Sequence, residues 1–377
     1  MKILFISNMT NKITNFAMPS IYASKKLDIE FHHAANWRNL SEEIRREEEK
    51  YGIKIHNIEF ERNPFNLKNY KAYKQLLRLM KEHKFDIVHC NTPIGGILGR
   101  ICSKQMNIKK VIYTVHGFHF YKGAPKLNNI IYKNVEKYLA KLTTSIITIT
   151  KEDYESALEF KKVNRELSVF YVPGVGINTN EIIGTKPNRN KLCQELGVNN
   201  ESFLIISAGE LNKNKNQKII IEAISDIEKN KDIHYIICGI GPMENELRKL
   251  AFEKGIDKNI HFLGYRKDIV ELMKSSDVFV MPSYREGLSR SMMEAMAAGL
   301  PCIASKIRGN VDLIENGQGG YLCDSNDVDS FSKAIKILSD DVKLRKSMSK
   351  YNLDRIKDYD VENIITEIDK IYNEELA

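Results

Sequence analysis

Glu286 and Glu294 stand eight residues apart in PSYREGLSRSMMEAMAAGLP, residues 282–301, and carboxylates so placed can bracket one turn and face the same crevice. Between them, Gly287 lets a ligand approach the backbone. The amides of Gly287, Leu288 and Ser289 open a helical stretch whose dipole attracts an anion. A hydroxyl-rich ligand carrying phosphate suits such a turn. Two glutamates at this spacing are common, and Glu294 alone reads equally as a solvated helix residue. The surrounding pattern separates the readings. An apolar run at 277–281 leads into Pro-Ser and Glu-Gly. The small-residue face Ala295-Met296-Ala297-Ala298-Gly299 follows, then Pro301 and a second apolar run.

Other turns follow apolar runs in the same way. After 203–208 comes Gly209-Glu210-Leu211-Asn212-Lys213-Asn214-Lys215-Asn216, either a polar surface loop or an anion cradle with Lys215 as a point charge on a diphosphate. The run 235–238 leads to Gly239-Ile240-Gly241, a weak signal alone, and 260–263 leads to Gly264-Tyr265-Arg266. Taken alone, Arg266 reads as a solvent-exposed residue. After 111–115 stands His116-Gly117, where ligand contacts collect in α/β proteins, although a turn histidine bonded to a backbone carbonyl is the simpler reading. The aromatics Phe118, Phe120 and Tyr121 form a sugar platform, a membrane-facing loop, or packing that holds the loop down.

What must position these residues is an alternation of short apolar runs and amphipathic helical stretches. Runs at 3–6, 29–31, 53–58, 86–89, 111–115 and 145–149 alternate with helical stretches at 41–50, 67–83, 94–106 and 126–141. This predicts an α/β chain with doubly wound parallel sheets. The glycine and proline cluster after 169–172 predicts a hinge at 174–190. The expected domains are 1–180 and 181–360, with a last helix at 361–377. A nicotinamide enzyme would carry a Gly-x-Gly-x-x-Gly fingerprint after its first strand. Ser7-Asn8-Met9-Thr10-Asn11-Lys12 stands there instead, which weakens that reading sharply.

With 377 residues, 42% hydrophobic and 28% charged, the chain has the composition of a soluble globular protein of two domains. Its start, MKILFISNMT, is too short in apolar residues for a secretory signal, so the cytosol is expected. The six cysteines are scattered singly, which points to neither a disulfide framework nor a zinc site. Residues 1–185 hold 29 Lys+Arg against 18 Asp+Glu, a net of +11, whereas the remainder nets −3. Within that half, residues 101–141 carry eight lysines and a single acid, Glu136. A solvated face is the plain reading. An anionic membrane surface, worth about 1 kcal/mol per nearby basic residue, is the second. Nucleic acid is disfavoured because no recognition motif is present.

EGLSRSMMEAMAAGLP resembles the Glu-x7-Glu segment of the retaining, nucleotide-sugar-dependent glycosyltransferases of family 4. The likeness extends through HGFHFYKGAP, VPGVGIN, GELNKNKN and CGIGPMENEL, and is greatest to bacterial enzymes that build capsular and exopolysaccharide repeat units. It implies the GT-B fold of two facing Rossmann-like domains, with a C-terminal helix crossing back to the first. It also implies that Glu294 holds the ribose, that Glu286 holds the sugar, and that the amides of Gly287, Leu288 and Ser289 meet phosphates or sugar. His116 matches the histidine that touches the transferred sugar. Gly209, Gly241, Tyr265 and Arg266 fall on donor-binding loops, and Lys215 matches a diphosphate-binding lysine. Two departures stand out: Glu210 occupies the place of an arginine, and residues 7–12 lack the double glycine many members have.

The resemblance implies transfer of a hexose or N-acetylhexosamine from a UDP-sugar, with retention, no metal and no other cofactor. Front-face attack by the acceptor hydroxyl is implied, the leaving phosphate taking its proton. Domain closure would exclude water. The acceptor expected is a polyprenyl-diphosphate-linked glycan, which would place the protein at the inner face of the membrane. Two other readings remain open: a nucleotide-sugar epimerase of the same architecture, and a catalytically silent sugar-nucleotide-binding subunit suggested by Glu210.

Overall fold

Strands covered on both faces read as near-continuous apolar runs, such as FLIISA at 203–208 and VFVM at 278–281. The computed structural model describes residues 1–14, 16–37, 41–227 and 231–376. They divide into a first unit, residues 1–176 with 361–377, and a second unit, residues 177–360.

The first unit begins with β1 (Lys2–Thr10), α1 (Met18–Lys26), β2 (Glu30–Trp37), α2 (Glu42–Tyr51) and β3 (Lys54–Asn57). It continues with α3 (Lys68–His83), β4 (Ile87–Asn91), α4 (Pro93–Gln105) and β5 (Lys110–Val115). Then come α5 (Lys126–Leu139), β6 (Ser145–Thr148), α6 (Lys151–Leu158) and β7 (Ser168–Tyr171). The second unit holds α7 (Thr179–Gly184), α8 (Arg189–Leu196), β8 (Phe203–Ala208), α9 (Lys218–Ser225), β9 (Ile233–Cys238) and α10 (Glu244–Glu253). After these stand β10 (Ile260–Gly264), α11 (Ile269–Lys274), β11 (Val278–Met281), α12 (Arg290–Ala297) and β12 (Cys302–Ser305). It ends with α13 (Asn310–Leu313), β13 (Gly320–Cys323), α14 (Val328–Asp340) and α15 (Val342–Arg355). The last helix, α16 (Val361–Leu376), belongs to the first unit.

The first sheet runs β3-β2-β1-β4-β5-β6-β7 and the second β10-β9-β8-β11-β12-β13. Every pairing between these strands is parallel. Both are doubly wound α/β sheets of Rossmann type, as the alternation predicts. The order reverses between β1 and β4 and between β8 and β11. At such switch points the loops leave in opposite directions and open a crevice at the carboxyl ends of the strands.

In the first unit, α16 buries Ile364, Ile368, Ile371 and Tyr372 against a cluster containing Ile3, Phe5 and Ile87. His89, fully buried, bonds through Nδ1 to Tyr372 Oη at 2.6 Å and through Nε2 to Thr114 Oγ1 at 2.7 Å.

Several elements were invisible to periodicity. The helix α1 buries Pro19, Ser20 and Ser24 beside Ile21 and Ala23, so its inner face is small and partly polar rather than apolar. Residues 179–184, in the polar stretch after the Pro-Gly cluster, form α7 because Asn178 caps it, accepting from the Glu181 amide at 3.0 Å. The strand β2 runs on to Trp37 through His32 and His33, two histidines buried without apolar character. No described helix is long and apolar enough to cross a membrane.

Candidate functional site

The loops at the carboxyl ends of β8, β9, β10 and β11 are laced by backbone hydrogen bonds. Gly209 N–H donates to Cys238 O at 3.0 Å, and Gly239 N–H donates to Gly264 O at 2.7 Å. Leu211 N–H donates to Ile240 O at 3.0 Å, and Met243 N–H donates to Leu211 O at the same distance. Across the switch point, Tyr284 N–H donates to Asn214 O at 2.8 Å and Asn214 Nδ2 returns a bond to Arg285 O at 2.9 Å. Two glycines make this approach possible. A Cβ on Gly241 would lie 2.3 Å from Leu211 O. One on Gly309, whose φ is +81°, would lie 1.8 Å from the carbonyl of Gly287.

This lacing brings residues 71 apart in sequence together: Lys215 Nζ donates to Glu286 Oε1 at 2.7 Å. Lys215 also lies over Gly209, where an added Cβ would stand 3.3 Å from its Cε. Cation, carboxylate and bare backbone thus share one spot beside the switch point. Glu294, mostly buried, accepts from Arg290 Nε at 2.7 Å within α12, and the cation remains half exposed. Ser289 precedes α12 without capping it through its side chain; its Oγ lies 3.2 Å from Ser291 Oγ. Gly287 and Leu288 are partly buried in the same turn.

Other predicted positions are occupied differently. Arg266 is held between Glu195, at 2.5 Å, and Asp268, at 2.7 Å, and these carboxylates push its pKa further up. Tyr265 is 74% exposed. Glu210 is exposed and accepts from Asn212 Nδ2 at 3.0 Å, while Lys213 is exposed beside it. Sequence reasoning passed over Asn216, whose buried Nδ2 donates to Pro282 O at 3.2 Å and Ser325 O at 2.9 Å. It also passed over Arg308, buried in the turn after β12 next to Gly309. Each lies in a polar segment with no periodic signal.

In the first unit, His116 follows β5. Its Nε2 lies 3.1 Å from Asn91 Oδ1, and its ring meets Phe16 edge-on at 4.7 Å. Desolvation lowers its pKa to about 4, so the imidazole is neutral at physiological pH. With Nε2 donating to Asn91, the buried Nδ1 keeps a lone pair that meets no partner among the described residues. The adjoining Thr92 sits at φ +64°, a conformation rare outside glycine, at the switch point of that sheet. Phe118 and Phe120 are buried, stacked at 4.5 Å and packed on Phe160. They hold the loop down. His119 is exposed, its ring 5.2 Å from Tyr132, and both line a cavity of about 420 Å3 with Asn8, Arg62, Thr92 and Glu136. Glu136, the single acid among eight lysines, is spent on the fully buried Arg100 at 2.8 Å.

Residues 188–355 match the family model described as glycosyl transferases group 1, and residues 2–150 match glycosyl transferase 4-like. The chain is 35% identical over 341 residues to the glycosyltransferase EpsD of Bacillus subtilis, covering 89% of this chain and 87% of that protein. It is 35% identical over 315 residues to the UDP-Gal:alpha-D-GlcNAc-diphosphoundecaprenol alpha-1,3-galactosyltransferase of Escherichia coli, covering 82% and 80%. Among solved structures, Anabaena HepE in complex with UDP superposes with a TM-score of 0.79 at 21% identity, covering 99% of this chain and all of that one. That likeness is one of fold.

Proposed function

The chain belongs to the glycosyltransferases of group 1 with a 4-like amino-terminal half, and from that premise we propose that it moves a hexose or N-acetylhexosamine from UDP to a polyprenyl-diphosphate-linked glycan. The observation that carries this reading is the contact of Lys215 with Glu286 over the bare backbone of Gly209. A diphosphate departing there develops charge beside a fixed ammonium and the amides of the turn before α12. Glu286 takes the hydroxyls of the sugar and Glu294 those of the ribose, while Gly241 and Tyr265 border the nucleotide. Glu210 offers the diphosphate no positive charge. Arg290 or Lys213 serves as the second cation, and Arg308 is the buried alternative.

In the first unit, neutral His116 offers Nδ1 to a hydroxyl of the transferred sugar and cannot repel or protonate it. The acceptor hydroxyl attacks from the face that the diphosphate leaves, and its proton passes to the departing phosphate oxygen, so the anomeric configuration is retained and no metal is required. Support for the UDP-linked donor and lipid-linked acceptor comes from the E. coli relative, named for both. Capsular or exopolysaccharide assembly at the cytoplasmic face of the membrane follows from the same acceptor.

The test is incubation with UDP-sugars and a synthetic undecaprenyl-diphosphate-linked N-acetylglucosamine, in chelator, with the product's anomeric configuration read by NMR. Transfer with retention is expected. An interconverted UDP-sugar without acceptor would mean an epimerase. UDP binding without turnover would mean a silent subunit, the outcome that Glu210 favours.

A further inference from the structure

Helix α5 carries its apolar stripe on the outside. Leu127, Ile130, Ile131 and Tyr138 share one face at helical spacing, a pattern that ordinarily points into a core. Here Leu127 is 67% and Ile130 60% exposed, and Leu139 is the buried residue of the helix. Polar residues point inward instead: Glu136 pairs with Arg100, and Asn129 Nδ2 donates to Tyr121 O at 3.2 Å.

A second exposed apolar prominence lies across the cavity that α5 borders. Tyr132 and Val135 line the cavity from the helix, and Arg62 and Pro64 line it from the loop before α3. That loop continues into Phe65, 90% exposed, and Leu67, 89% exposed. Lys74 on one side and Lys122, Lys126 and Lys137 on the other are exposed around these apolar groups.

Two apolar prominences from separate parts of the chain, rimmed by lysines, leave a choice of occupant. A protein interface is a poor match, since such interfaces are depleted in lysine. An anionic bilayer matches both features: its acyl boundary takes the apolar side chains and its headgroup phosphates take the ammonium groups. We propose that Phe65, Leu67, Leu127, Ile130, Ile131 and Tyr138 form the face by which this protein docks on an anionic bilayer. The proposal rests on the lipid-linked-acceptor reading and names the surface that brings the enzyme to that acceptor.

The experiment is flotation with phosphatidylcholine vesicles, with and without phosphatidylglycerol, at low and high salt. The full chain is compared with Leu127→Glu/Ile131→Glu and with Phe252→Glu, which removes an exposed aromatic of the second unit. Binding of the parent only to phosphatidylglycerol vesicles, weakened by salt, is expected. The double variant should bind at least about tenfold more weakly and Phe252→Glu as well as the parent. Thermal midpoints and UDP binding should match in all three. If the parent floats and the double variant floats equally, the face is wrong while membrane association stands. If the parent fails to float with either vesicle, both fall. If the parent is a dimer that the double variant converts to monomer, with vesicle binding unchanged, the face is a contact between copies and the proposal is overturned.

Discussion

Lys215 Nζ donates to Glu286 Oε1 over 2.7 Å, tying the loop after β8 to the turn after β11. Under the proposed function, a diphosphate reaching Lys215 would compete with that carboxylate for one ammonium group and free Glu286 to meet the hydroxyls of the sugar.

Lys215→Met should therefore lower kcat for sugar transfer by about 100- to 1,000-fold, the cost of removing one donor aimed at developing charge. It also leaves Glu286 partly buried without its cation. Lys215→Met/Glu286→Gln should regain thermal stability but not activity. A kcat within about threefold of the parent would remove Lys215 from the reaction.

Glu294 is the mostly buried partner of Arg290. Glu294→Ala should weaken UDP about tenfold, roughly 1.4 kcal/mol, and shrink the thermal shift given by a fixed UDP concentration. Titration calorimetry with UDP and with uracil separates loss of the ribose contact from loss of the base site.

At Glu210, an exposed carboxylate stands where the resemblance calls for an arginine. Glu210→Arg replaces repulsion by attraction and should tighten UDP several-fold, on the order of 1 kcal/mol, more at low salt than at high. An unchanged affinity would place that side chain away from the diphosphate.

Acid should destabilise the first unit. Burial lowers the pKa of His33 and of His89 to about 3, against about 6.5 in an unfolded chain. A base with a depressed pKa binds its proton more readily when unfolded. The stability it contributes is therefore whole above about pH 6.5 and is lost as the pH falls towards 3. By about pH 5 the loss is on the order of 2 kcal/mol for each. Urea midpoints at about pH 7.5 and 5 test this. His89→Gln, weaker at neutral pH for want of its bonds to Tyr372 and Thr114, should lose less between the two; an equal loss would show that His89 does not titrate.

The fold was legible in short buried strands and amphipathic helices, because covered parallel strands demand continuous apolar runs such as FLIIS and VFVM. Legibility failed where burial is polar or small. The helix α1 hides serines, β2 hides histidines, and β13 is the four-residue GYLC. The predicted position of Arg266 was correct as a strand-end turn, but no local pattern announces that Glu195 and Asp268 hold its guanidinium.

Residue types and their spacing along the chain were determined by the sequence alone: two doubly wound halves, a Glu-Gly turn before a helix, a lysine as the seventh residue of GELNKNK, and an excess of basic over acidic residues in the first half. Which of these meet was decided only by the tertiary structure. The sheet order sets β8 beside β11 and so joins Lys215 to Glu286. Glu136 turns inward to Arg100, and the stripe of α5 that a one-dimensional pattern would bury is left facing out. The reason is physical: periodicity records which side chains share a face, whereas burial of that face depends on whether another element arrives to cover it.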